Sequence, residues 1–425
     1  MPVGSEDAGL LAHVAATFDG YMGEVGVAVS GGSDSVALLH LIAAAGARVQ
    51  AVTVNHDLRV AAADEARFVA GLCAGLGVPH SVVVWDHGVI AGNLPNAARR
   101  ARYGLIAGWA QARGITRVVL GHTADDQAET VLMGLARGAG LDGLCGMRPW
   151  WDQGPVRFER PLLRVLRAEL RGYLTRASVG WVDDPTNEDV LYQRVRARNA
   201  LAALRPLGIS VDGLGDVARN LAAARQALVN AVAEAAAGIS HERGGALIFQ
   251  RDGFFALPDD VRRRLLIAAL RWVSTADYAP RADAVLRLQA AIVKGRDATL
   301  WGCRIRVSKA EIWIMREPRA AMTVCAPDQL WDRRWRVEGP SEPGQEAPGQ
   351  EVPGQEVPDH EVRALGAEGL RACKNWRETG HSRNALLVSP SIWHGCVLIA
   401  APLAGFSNGW TARIDAGFSS FIISH

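Results

Sequence analysis

Lysine is nearly absent from this chain of 425 residues: three lysines (294, 309 and 374) stand against 43 arginines. None of the three follows a glycine, so a phosphate loop of the GK[ST] kind is excluded. Cysteine is sparse as well. The six cysteines, at 73, 145, 303, 325, 373 and 396, form no CxxC and no short pair. That spacing argues against a disulfide framework or a tetrahedral zinc site and fits a reducing cytoplasm. No apolar run reaches the roughly 18–20 residues that a membrane helix needs, so no membrane partner is expected. The first twenty residues carry three acids and no basic n-region, unlike a secretory signal. With 49% hydrophobic and 21% charged residues the chain is not globally disordered, and its length suggests two to four domains.

What is present is ordered along the chain. Over the first 140 residues strand-like and helix-like stretches alternate. Strands are expected at Val25–Val29, Val49–Val54, Ser81–Trp85 and Arg117–Leu120, with helices at Val36–Ala45, about Ala61–Leu76, Asn96–Arg113 and after Gly121 to about Ala136. This alternation predicts an α/β domain, a parallel sheet covered by helices on both faces. After Arg205 the pattern turns mostly helical (Leu221–Gly238, Pro258–Val273, Pro280–Lys294). It closes with an alternating Ala298–Met315 hairpin that turns near Ser308–Lys309. Trp272, Trp301 and Trp313 fall in these apolar patterned stretches and are expected in the core. Residues 343–362 repeat PGQEA, PGQEV, PGQEV, PDHEV, the composition of a solvated linker. Beyond them a small mixed or β-rich terminal domain is expected. The domain expectation is therefore 1–205, 215–317 and 319–425, with the linker at 338–362.

The strongest local signal is Ser30-Gly31-Gly32-Ser33-Asp34-Ser35, directly after a strand and before a helix. Glycines allow a tight turn and close ligand approach, and the helix start offers N–H groups and a positive dipole end to an anion such as phosphate. Asp34 repels a phosphate unless a cation lies between them, which points to Mg²⁺. A second acidic segment, Gly121-His122-Thr123-Ala124-Asp125-Asp126-Gln127-Ala128-Glu129-Thr130, follows the fourth strand on the same sheet edge. With a helix starting near Ala124, Asp125 and Glu129 share one face. A metal–nucleotide site accounts for acids so placed beside a phosphate loop, and a helix cap rich in acids is the lesser alternative for Asp126. Arginines cluster at Arg99, Arg100 and Arg102, beside Tyr103, and at Arg194, Arg196 and Arg198. Guanidinium forks at such spacings suit phosphates, and a solvated helix face accounts for the first cluster equally.

The SGGxDS loop resembles the pyrophosphate (PP) loop of the N-type ATP pyrophosphatases, which adenylate a carbonyl oxygen and release pyrophosphate. Further motifs stand in order: Asn55-His56-Asp57-Leu58-Arg59, Arg99-Arg100-Ala101-Arg102-Tyr103, the GHTADDQAET segment, Arg137-Gly138-Ala139-Gly140-Leu141-Asp142-Gly143-Leu144, Arg160-Pro161-Leu162-Leu163 and Asp184-Pro185-Thr186-Asn187. Together, over roughly residues 20–200, they resemble the tRNA(Ile)-lysidine synthetase family. The family pattern has asparagine at Val195 and glutamate at Pro95, and this chain departs from it there.

The resemblance implies an α/β PP-loop ATPase domain, then a mostly helical domain and a small C-terminal domain. It implies a carbon–nitrogen ligase that uses ATP and Mg²⁺ to join free L-lysine to C2 of the wobble cytidine of the CAU-anticodon tRNA(Ile). In that scheme Ser30, Gly31, Gly32, Ser33, Asp34 and Ser35 hold the pyrophosphate part of ATP, with Asn55, His56 and His122 also on the nucleotide. Asp34 and Asp125 bind the metal, and Asp126 and Glu129 handle the lysine ammonium or its proton. Arg99, Arg102, Arg160, Arg194, Arg196 and Arg198 face tRNA. A homodimer is left open. A tRNA thiolase of the same superfamily would need a catalytic cysteine pair or a cluster-binding CxxC. A non-catalytic RNA-binding module would explain the arginines but not the SGGSDS loop with its acidic partner.

The near-neutral net charge of +2 does not argue against RNA. Glu338–Glu368 carries eight acids and one arginine, a local −7 that leaves +9 on the rest of the chain.

Overall fold

A computed structural model describes residues 7–55, 62–85, 94–183, 191–276, 278–340 and 360–424. His56, the Asp57–Arg59 run, Asp184–Asn187 and the repeat as far as 359 lie outside the described residues. The chain divides into two compact units, residues 1–225 and 226–425.

The first unit is built on a six-stranded sheet in the order β3-β2-β1-β4-β6-β5. Its strands are β1 (Val25–Ala28), β2 (Val49–Asn55), β3 (His80–Val84), β4 (Arg117–Leu120), β5 (Trp150–Gln153) and β6 (Val156–Glu159). All pairs are parallel except β5–β6, a hairpin at the edge. Helices α1 (Ala8–Ala16), α2 (Ser33–Ala44), α3 (Ala62–Leu76) and α4 (Leu94–Gln111) precede β4, and α5 (Ala124–Ala136) and the single turn α6 (Leu141–Leu144) follow it. Next come α7 (Arg167–Arg176) and α8 (Gln193–Leu204).

Side chains alternate across the sheet. Val119 joins Val25, Val27 and the α2 leucines in one core, whereas Val118 and Leu120 join Ile106, Trp109 and Phe158 in another. Burial on both faces explains why these strands read as short continuous apolar runs. Strand order reverses between β1 and β4, and the crevice outside their carboxyl ends is where an open α/β sheet receives its ligand. The SGGSDS and GHTADD segments both leave the sheet there.

In the second unit, α9 (Val211–Ile239), which begins in the first, leads into the five-stranded antiparallel sheet β7-β8-β11-β10-β9. Its strands are β7 (Ser240–Arg243), β8 (Ala246–Gln250), β9 (Ala298–Leu300), β10 (Cys303–Val307) and β11 (Glu311–Arg316). The β10–β11 hairpin has the register expected from the alternation, pairing Val307 with Ile312 across the Ser308–Lys309 turn. Its inward residues Cys303, Ile305, Ile312 and Ile314 pack with Leu265, Leu266 and Val273 of the helix Asp259–Ser274. The β7–β8 hairpin is a surprise within a stretch that reads as helical. Its turn, Gly244–Gly245, has positive φ at both residues, as a tight hairpin requires. Trp272 is buried, but Trp301 is 42% exposed at φ +56° in the β9–β10 turn, so the expectation of a core Trp301 is corrected. The C-terminal residues add a three-stranded and a two-stranded antiparallel sheet around the buried Trp331 and Trp335.

Candidate active site

The SGGSDS loop is closed by its own hydroxyls. Ser35 Oγ donates to the Gly32 carbonyl at 3.0 Å and accepts from the Ser30 N–H at 3.2 Å. Gly31 adopts φ +92°, and its carbonyl accepts from the Val182 N–H at 2.9 Å. Gly32 caps α2 without a side chain, so the helix start turns toward the loop with Asp34 in its first turn. Gly121 fixes the distance to the second segment. A Cβ there would lie 2.9 Å from the Ser35 Cα and N and 3.0 Å from the Asp34 carbonyl carbon. Gly121→Ala is therefore expected to push β4 off the loop. It should destabilise by about 1–3 kcal/mol and weaken the binding of a polyphosphate ligand at the loop, as melting and ligand titration would show.

The second segment carries a capping box. Thr123 is the N-cap of α5; its Oγ1 accepts from the Asp126 N–H, and Asp126 Oδ2 accepts from the Thr123 N–H at 2.9 Å. Asp126 therefore serves the helix cap and still presents Oδ1 to the site. Asp125 caps a different helix. Leu166, the N-cap of α7, has no side-chain bond, and Asp125 Oδ2 accepts from the Arg167 N–H at 2.7 Å.

Arg167 is the residue that sequence reasoning missed. Its guanidinium donates to Asp34 Oδ2 at 2.8 Å and lies 3.2 Å from Asp126 and 3.6 Å from Glu129. With its backbone N–H on Asp125, one residue gathers all four acids read from the sequence. The acids respond differently. Burial raises the Asp34 carboxyl above its ordinary value despite Arg167. Burial and the charge of Asp126 raise Glu129 against the pull of Arg198 and Arg167. Burial pushes Asp126 up too, but Arg167 and the Thr123 N–H outweigh it and hold that carboxyl low. Glu129 is 1% exposed, and its Oε2 has no hydrogen-bond partner among the described residues.

Arg194, Arg196 and Arg198 lie on helix α8 rather than on an extended segment. The four-residue spacing sends Arg194 to within 3.9 Å of Asp126 and Arg198 to 3.0 Å from Glu129, while Arg196 is exposed. Arg99 and Arg102 are exposed on α4, Arg99 over the Tyr103 ring. Arg160 was expected on RNA but is only 7% exposed. Its guanidinium stacks on Trp151 and its Nε donates to His122 Nδ1 at 3.2 Å. Asn55 ends β2 on the same sheet edge.

His122 is held neutral: burial, then the charge of Arg160, push it from 6.5 down to about 3. Its folded pKa lies below its unfolded one, so the unfolded chain takes up the proton first. Stability is then lost as pH falls from 6.5 toward 3, by at most about 1.4 kcal/mol per pH unit. His122→Asn removes this contribution. Its melting temperature should fall less steeply than that of the wild type between about pH 6 and pH 4.

Among the described residues no group of three or more His, Cys, Asp or Glu is arranged to hold a metal by itself. Asp34 and Asp125 offer hard oxygen donors tied to the same arginine. Two carboxylates completed by substrate phosphates is the usual Mg²⁺ arrangement, so the donor set fits that ion arriving with a nucleotide.

Residues 12–204 match the PP-loop domain family. Over its whole length the chain is 43% identical to the tRNA(Ile)-lysidine synthase of Ruegeria pomeroyi, covering 99% of that protein. It is 31% identical to the Anaplasma marginale enzyme of the same name over 74% of this chain and 71% of that one. With the Zymomonas mobilis enzyme, again of that name, the identity is 36% over 65% of this chain and 84% of that one.

Proposed function

The chain belongs to the tRNA(Ile)-lysidine synthase family, and from that premise we propose that it ligates free L-lysine to C2 of the wobble cytidine of the CAU-anticodon tRNA(Ile). The observation that carries this reading is the convergence of Asp34, Asp125, Asp126 and Glu129 on Arg167 beside a phosphate loop. In the first step the cytidine O2 attacks the α-phosphorus of ATP, forming an O–P bond and expelling pyrophosphate. In the second the lysine ε-amine attacks C2, the C2–O bond breaks, AMP leaves and the amine gives up a proton.

Ser30–Ser35 and the start of α2 receive the pyrophosphate part of ATP. Asn55 and His122 line the nucleoside side, where the family resemblance alone also assigns His56. Asp34 and Asp125, together with phosphate oxygens, would hold Mg²⁺, which supplies neutralisation of phosphate charge. Glu129, whose carboxyl is raised and lacks a partner on Oε2, takes the lysine ammonium and then its proton, with Asp126 beside it. Arg194 and Arg198 balance that acidity from α8, and Arg160 orients His122. Arg99, Arg102 and Arg196 are exposed and suit RNA phosphates. Catalysis is then mainly positioning and electrostatics.

Residues 1–205 form the catalytic domain in this reading, with 215–317 and 319–425 engaging the body of the tRNA. No helix among the described residues is long and apolar enough to cross a membrane. The proposal places the enzyme in the cytoplasm, and light scattering of the full chain tests whether it works as a homodimer. The test of function is ATP-dependent transfer of radiolabelled lysine to a CAU-anticodon tRNA(Ile), followed by nuclease digestion. Label recovered in lysidine is expected. Good tRNA binding with no label, or a sulfurated base instead, would sink the proposal.

A further inference from the structure

We infer that Arg167 keeps the lysine subsite closed until bound nucleotide draws its guanidinium away, so that lysine binds well only after ATP. This rests on the assignment of lysine to Glu129 and Asp126. The argument begins with charge. One guanidinium lies within 2.8–3.6 Å of three carboxylates, those of Asp34, Asp126 and Glu129. It thus stands where an incoming ammonium has to sit. Lysine brings three N–H donors and one positive charge, and with Arg167 and Arg198 both on Glu129 Oε1 it meets two resident cations. Yet Glu129 Oε2, on a residue 1% exposed, has no hydrogen-bond partner among the described residues. A buried carboxylate oxygen without a donor is costly, and a ligand ammonium would satisfy it.

The second half of the argument is the distribution of the contacts. The shortest ion pair of the Arg167 guanidinium, 2.8 Å to Asp34, faces the phosphate loop; the longest, 3.6 Å, faces Glu129. One turn further along α7, Arg171 donates to Ser33 Oγ at 3.3 Å, so α7 lays two guanidinium groups on a loop that has no basic residue of its own. A polyphosphate arriving there is a stronger partner for Arg167 than three carboxylates among which its guanidinium is divided. A cation taken up by Asp34 with that nucleotide also competes for the oxygen Arg167 now holds. Either effect moves the guanidinium toward the loop and uncovers Glu129 and Asp126. Arg167 acts here as a positioning residue, setting the order of binding without touching the reacting atoms.

The test is calorimetric titration of L-lysine into the full chain. It is run with and without Mg²⁺ and an ATP analogue carrying methylene between the α and β phosphorus atoms. In the wild type lysine should bind about tenfold more tightly with the nucleotide present. Arg167→Met should bind lysine without nucleotide about tenfold more tightly than the wild type and lose most of the coupling. Arg167→Lys, which keeps a charge on a stem too short to span three carboxylates, should fall between them and guards against misfolding of the methionine variant. Equal wild-type affinity with and without nucleotide overturns the inference, as does a folded Arg167 variant with unaltered coupling. Glu129→Gln separates the two levels. Undiminished lysine affinity in the nucleotide-bound variant removes the lysine assignment itself. Lost affinity there, with no dependence on Arg167, overturns the ordering alone.

Discussion

Asp34→Ala is expected to cut pyrophosphate release by a factor on the order of 10²–10³ while leaving the melting temperature almost unchanged. Asp34 stands in the first turn of α2, its carboxylate shared between Ser33 Oγ at 3.1 Å and Arg167 at 2.8 Å. Removing it takes away the one acid of the phosphate loop, and with it the proposed cation ligand beside the leaving pyrophosphate. Stability responds differently, because burial raises this carboxyl above its ordinary value. An acid whose folded pKa exceeds its unfolded one is a burden when ionised, and that burden is relieved as pH falls through the folded value. Deleting it therefore leaves no deficit at neutral pH beyond a lost partner for Arg167, which retains Asp126 and Glu129. Asp125→Ala makes the instructive companion. It should slow the same step, and it also uncaps α7, costing about 0.5–2 kcal/mol. Unchanged pyrophosphate release in either variant, measured with saturating tRNA, would remove the acid replaced in it from the nucleotide site.

The contrast between these two aspartates shows what the sequence does and does not make legible. The strands and helices around them were readable to within two or three residues, because burial on both faces makes β1, β2 and β4 short apolar runs between glycine turns. The acids themselves were readable because their chemistry follows from the sheet edge on which they sit. Arg167 was not. It opens a polar, arginine-rich helix, and its role exists only because segments 133 residues apart meet at Asp34. The Arg160-Pro161-Leu162-Leu163 motif ends four residues before it, so reading that motif through to the next helix start would have been the available signal. Arg160 differs in kind: the family resemblance assigns it to RNA, and here it is buried, stacks on Trp151 and donates to His122. The β7–β8 hairpin was hidden for a third reason. Its strands are four and five residues long, and the first is exposed and polar, so neither helical nor alternating periodicity marks them.

In Glu129→Gln the two half-reactions should come apart. Pyrophosphate release persists within about threefold, while lysine transfer from the adenylated tRNA falls by about 10²–10⁴, the usual worth of a positioned base. Glutamine keeps the shape of the side chain and can still accept from Arg198, now at 3.0 Å, so the fold has little reason to change. What it lacks is the charge for the ε-ammonium and the capacity to take the proton once the C2–N bond has formed. The raised carboxyl matters here, since a base whose pKa moves up toward the working pH gains proton affinity. The wild-type transfer rate should accordingly rise with pH through a value above 4.5, the ordinary one for this carboxyl, and that limb should be missing from the variant. Single-turnover transfer from preformed adenylated tRNA, read as AMP release against pH, separates the steps. If both half-reactions fall together, or if the acid limb survives the substitution, Glu129 serves the architecture of the site and some other group takes the proton.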